Sequence, residues 1–98
     1  MGKYEESARF TNKKYDAVIE RLTTAVVKYN GAINKLDSVT GVKKCNSIKA
    51  DLITKREELK NKIEEIESIK KTLISNGRKK DAERRRKELE AQQQNKIN

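Results

Sequence analysis

Between Tyr15 and Leu36 the apolar residues recur at steps of three and four. Tyr15, Val18, Leu22, Ala25, Tyr29, Ala32 and Leu36 form one row, with Ile19, Val26 and Ile33 beside it. This is the period of an α-helix, held for three heptads, and the residues between are mostly Lys, Asn, Glu and Thr. A pattern with this period does not fit a strand, where the two faces alternate at every residue. The stripe also passes in phase through Asn30-Gly31, which therefore reads as helix and not as a turn.

A second apolar row follows. Leu52, Leu59, Ile66 and Leu73 stand seven residues apart, and Ile48, Ile63 and Ile69 supplement them. Arg56 and Lys70 fall where a hydrophobic seam wants apolar groups, so this seam is interrupted twice. Asp51–Lys55, Glu58–Lys62, Lys60–Glu64 and Glu67–Lys71 are spaced to pair along an exposed helix face, at about 0.2–0.5 kcal/mol each.

Between the two rows, Asp37-Ser38-Val39-Thr40-Gly41-Val42-Lys43-Lys44-Cys45-Asn46 collects turn and capping residues. Gly41 offers a positive φ, and Asn46 or Ser47 offers a cap for the next helix. Further on, Asn76-Gly77 reads as a C-cap or as a weak point costing about 1 kcal/mol within a helix. The residues beyond remain helix-compatible, with Asp81–Arg85 and Glu83–Lys87 at pairing distance, but Ala82 and Leu89 are almost all they have to bury.

These signals predict an all-α chain forming a single domain over residues 1–98, an antiparallel, coiled-coil-like helical hairpin. Its helices run from about 4 to 37 and from about 47 to 91, around a turn at about 38–46, and the second is longer. Residues 77–98 are expected to be a basic, fraying end. Two helices make one seam, and a core that small does little to offset chain entropy. The hairpin is therefore expected to be completed by a helical partner. The seam and partner face are assigned to Tyr15, Val18, Ile19, Leu22, Val26, Tyr29, Ile33 and Leu36, with Leu52, Leu59, Ile63, Ile66 and Leu73.

Composition supports helices and excludes most chemistry. Only 34% of the 98 residues are hydrophobic, 40% are charged, and there is no proline. Ordinary soluble domains have about 45–50% apolar residues, so disorder competes as a reading, and the periodic placement of the apolar residues decides against it. With no histidine and one cysteine, the chain lacks imidazole acid/base chemistry, an internal disulfide and the usual zinc ligand sets. Cys45 reads as an inert thiol. Adjacent carboxylates such as Glu57-Glu58 and Glu64-Glu65 read as a solvated face, not an acid/base pair. No phosphate-binding loop or nucleophile elbow occurs. We expect no enzyme activity and no cofactor.

The chain carries a formal charge of +9. Arg78, Lys79, Lys80, Arg84, Arg85, Arg86 and Lys87 form its densest basic run, a candidate contact patch for phosphate or an acidic partner. Asp81, Glu83, Glu88 and Glu90 interleave with it, and no aromatic residue follows Tyr29 to provide a stacking platform. Nucleic acid is therefore the second reading and a self-associating helical assembly the third. No apolar run is long enough for a membrane span. The first residues have neither the apolar core of a cleavable signal nor the myristoylation pattern, so synthesis in the cytoplasm is expected, with any release by a route that reads no N-terminal signal.

The turn Val39-Thr40-Gly41, the following Ile48-Lys49-Ala50-Asp51-Leu52 and the Lys/Glu/Ile-rich second helix resemble the WXG superfamily of type VII secretion systems. Val39 stands where that tripeptide has tryptophan, and Gly41 matches its glycine. More narrowly, the chain resembles the YwqH-like small helical proteins that accompany LXG toxins in Gram-positive bacteria. The resemblance implies a non-enzymatic targeting factor that binds the toxin's N-terminal helical region or a second small hairpin. It also implies release as part of a complex, without a cleaved signal peptide. The family's C-terminal export motif places an aromatic residue four before an acid; here Gly77 stands four before Asp81.

Overall fold

The computed structural model describes residues 2–39 and 43–97. Its described residues form two α-helices and no strand: α1, Lys3–Asp37, and α2, Lys43–Ile97. Nothing in either segment breaks a helix, because proline is absent and Lys, Glu, Leu and Ala are good helix formers.

The ends of α1 are satisfied in different ways. At the start, the Gly2 carbonyl accepts the Glu6 N–H at 3.0 Å, and Glu5 and Glu6 complement the positive end of the helix dipole. At the finish, the Ser38 hydroxyl donates to the Lys35 carbonyl at 2.7 Å and the Val39 N–H to the Leu36 carbonyl at 3.0 Å. These bonds occupy carbonyls that a helix end leaves without intrahelical partners.

Helix α2 begins at Lys43, earlier than the expected start near Ser47, so Asn46 and Ser47 lie inside its first turns. It also continues through Asn76-Gly77 and past Ala91 to Ile97. Of the predicted turn tripeptide, Val39 is exposed, whereas Thr40 and Gly41 lie outside the described residues.

By its internal contacts the chain divides into two compact units. The first joins the residues up to Tyr15 with those from Ser68 onward; the second is Asp16–Glu67. Each contains a stretch of α1 and a stretch of α2. Among the described residues the buried apolar side chains are few: Ala8 in the first unit, and Val26 and Ile33 in the second.

Candidate functional site

In the second unit the α1 stripe turns inward as its period demands. Val26 and Ile33 are buried, at 9% and 5% exposure, and Ile19, Leu22, Tyr29 and Leu36 are half-buried around them. From α2, Leu52, Leu59, Ile63 and Ile66 are also half-buried. Val18 remains 43% exposed, and so do Ile48 at 44% and Val27 at 63%. None of the thirteen seam residues named from sequence lies outside α1 or α2, yet only Val26 and Ile33 among them are buried.

Arg56, the first interruption of the α2 row, has an answer on α1. Its Nη1 donates to the Asn30 Oδ1 at 3.0 Å, and its Nε donates to Glu57 at 3.2 Å. A half-buried guanidinium thereby finds acceptors on both helices for two of its five N–H donors. Near the end of α1, Asp37 pairs with Lys49 of α2.

In the first unit, Tyr15 and Leu73 are half-buried, but polar and small residues decide the packing. Asn12 is buried at 5% exposure, and its Nδ2 donates to the Lys70 carbonyl at 3.2 Å. Its Oδ1 has no hydrogen-bond partner. The second interruption of the α2 row is thus met by an α1 asparagine that reads the backbone at Lys70.

Asp81 is the other buried polar residue among those described, at 4% exposure. Its two carboxylate oxygens accept the Tyr4 and Glu5 N–H groups, each at 2.9 Å. A side chain of α2 therefore caps the N-terminus of α1, where backbone donors are otherwise unsatisfied and the dipole favours an anion. Burial pushes the Asp81 carboxyl up, but the two N–H bonds, with the fields of Arg85 and Arg84, hold it below its ordinary value.

Two glycines make room for this cap. A Cβ on Gly77 would stand 2.7 Å from the Tyr4 carbonyl oxygen and 3.1 Å from the Glu5 Cα. A Cβ on Gly2 would collide with the Asp81 carboxylate itself. Gly77 is therefore a buried point of close approach, not a helix stop. Sequence reasoning missed Asn12, Gly77 and Asp81 as core residues because it tracked apolar groups. A glycine without a stop beyond it, followed four residues later by an acid, is the signal that was present.

Around the cap, Arg78 bonds to Glu5, and Arg9 approaches the same carboxylate at 3.4 Å. The Arg78 bond, opposed by burial and reinforced by Arg9, holds the Glu5 carboxyl below its ordinary value. Lys80 lies 5.8 Å from the centre of the Tyr4 ring. Every residue of the predicted basic patch, Arg78, Lys79, Lys80, Arg84, Arg85, Arg86 and Lys87, is exposed. Arg84 pairs with Glu88 at 3.1 Å and Lys87 with Glu83 at 3.4 Å. The Asp81–Arg85 pair expected along the helix gives way to the cap, with Arg85 acting on Asp81 through its field.

Cys45 is half-buried in the first turn of α2. Among the described residues, no cluster of three or more His, Cys, Asp and Glu residues is arranged to hold a metal ion. No described helix is long and apolar enough to cross a membrane. No protein-family model matches the chain, and no curated protein or solved structure matches it.

Proposed function

We propose that this chain is a non-enzymatic helical binding partner: an antiparallel, coiled-coil-like hairpin that completes its core on another helical protein. The observation that carries this reading is the imbalance between apolar residues covered and left open. Among the described residues only Ala8, Val26 and Ile33 are buried hydrophobics, while Val18, Val27, Ile48 and Ile69 are exposed by more than two fifths. Apolar surface left open on a chain this poor in it favours association. The Val39-Thr40-Gly41 resemblance supports, as the partner, the N-terminal helical region of an LXG toxin or a second small hairpin, with release of the pair through a type VII system.

Co-expression with such a toxin region tests the proposal. A stoichiometric complex is expected, and Leu22→Asp or Leu59→Asp should abolish it, since an unpaired charge is costly to bury. A chain that stays monomeric beside the toxin region and melts cooperatively alone would refute it.

A second reading, binding to nucleic acid, is favoured by one observation: the basic patch is exposed over its whole length. It predicts binding that falls steeply with salt and is lost when Arg84, Arg85 and Arg86 become Ala.

A further inference from the structure

Within the unit Asp16–Glu67, the outward faces of both helices carry a repeat that the apolar seam does not use. On α1, Arg21, Lys28 and Lys35 stand seven residues apart, and Ala17, Thr24 and Gly31 stand seven apart, each four residues before a cation. On α2, Asp51, Glu58 and Glu65 stand seven apart, each four residues after Ser47, Thr54 or Asn61. The two rows have the same design with opposite charge. All twelve residues are exposed, whereas Val26 and Ile33 on the other side of α1 are buried and Leu52 and Leu59 of α2 are half-buried.

None of the six charges closes an ion pair with another described residue. The α1 cations cannot find one along their own helix. Positions three and four residues to either side of Arg21, Lys28 and Lys35 hold Ala, Val, Thr, Gly and Ser, and no acid. An ordinary solvated helix face mixes signs at that spacing, as α2 does with Lys55 and Lys62 beside its acids.

The spacing also fits. Seven residues advance a helix by about 10.5 Å, so two such rows stay in register over three repeats whichever way the helices run. Small residues between the charges let the helix axes come close. Thr24 and Thr54 already donate their hydroxyls to Glu20 and Ala50 within their own helices, at 3.0 and 3.1 Å, so covering them strands no donor.

We infer that the α1 row Arg21/Lys28/Lys35 of one copy docks on the α2 row Asp51/Glu58/Glu65 of a second copy, through matched heptads of charge spaced by small residues. The occupant is a second copy because the complementary row is present on the same chain. The contact uses the faces opposite the apolar seam, so it neither requires the proposed helical partner nor competes with it. Exposed ion pairs are individually weak and screened by salt, so this association is weak and salt-sensitive.

Sedimentation equilibrium of the full chain over a range of concentrations, at low and high ionic strength, reads it directly. Reversible self-association is expected at low salt and should weaken at high salt. Two triple variants should each lose it by about tenfold or more: R21E/K28E/K35E, which makes both rows acidic, and D51K/E58K/E65K, which makes both basic. An equimolar mixture of the two should restore association, because every cross-contact is again between opposite charges. Circular dichroism verifies that both variants remain helical. If the mixture stays dissociated while both variants are folded, or if the parent chain is monomeric throughout, the inference is wrong. Failure here leaves the binding proposal above untouched, since Leu22→Asp and Leu59→Asp report on the other faces.

Discussion

Replacing Gly77 with Ala should bring no gain in stability, although helix propensity alone predicts one. In an open helix position, Gly→Ala stabilises by about 1 kcal/mol. Gly31 is such a position, because a Cβ there meets nothing within 4 Å. At Gly77 the new methyl would lie 2.7 Å from the Tyr4 carbonyl oxygen, 3.0 Å from its carbonyl carbon and 3.1 Å from the Glu5 Cα. All three atoms are backbone, so no side-chain rotation relieves the overlap. Ordinary contact begins near 3.4 Å, and the helices must part by several tenths of an ångström to reach it. Parting them pulls Tyr4 and Glu5 away from the Asp81 carboxylate. Overpacking of this kind costs about 1–3 kcal/mol. Set against the propensity gain, Gly77→Ala should be neutral to about 2 kcal/mol destabilising, while Gly31→Ala should gain about 1 kcal/mol. The assay is thermal denaturation of the two variants and the parent, followed by circular dichroism. At about 4–8 °C per kcal/mol for a chain of this size, the two variants should separate by at least about 4 °C, with Gly31→Ala the higher. Equal rises in Tm for both would refute the close approach of α1 to α2 at Gly77.

The cap makes a prediction about pH. The Asp81 carboxyl is held below its ordinary 3.8 in the folded chain, so its stabilisation is present above that value and is lost as pH falls through the lowered one. Asp81→Asn should therefore lower the Tm at neutral pH, and the gap to the parent should close in the acid range below 3.8; a gap that stays constant would show that the charge plays no part. At Asn12, Ala removes the Nδ2 bond to the Lys70 carbonyl and leaves a small gap between the helices, so Asn12→Ala should cost about 1–2 kcal/mol, and an unchanged Tm would mean that this contact contributes nothing. At the other polar contact, Asn30→Ala removes the acceptor for the half-buried Arg56 and should cost about 1–3 kcal/mol. The Arg56→Leu/Asn30→Leu double variant should recover most of that, which a double-mutant cycle would measure.

The helices were legible in the sequence because their cause is local. Apolar steps of three and four, the lack of proline and the in-phase passage through Asn30-Gly31 all act within a few residues, and α1 and α2 follow from them. The inward orientation of Val26 and Ile33 follows too, since a helix has one face on which such a stripe can lie. What periodicity does not contain is which residue of one helix meets which residue of the other. Gly77 looks like a stop until the first turn of α1 is laid against it, and Asp81 looks like one more surface acid until the Tyr4 and Glu5 N–H groups reach it. Asn12 and Asn30 look like ordinary polar filler, yet they meet the α2 row at its two polar interruptions. Sequence by itself determined the helices, because they depend on short-range geometry. Tertiary structure alone decided the cap, the close approach and the polar contacts. Each of those joins groups tens of residues apart, and its energy exists only once the backbone has brought them within hydrogen-bonding distance.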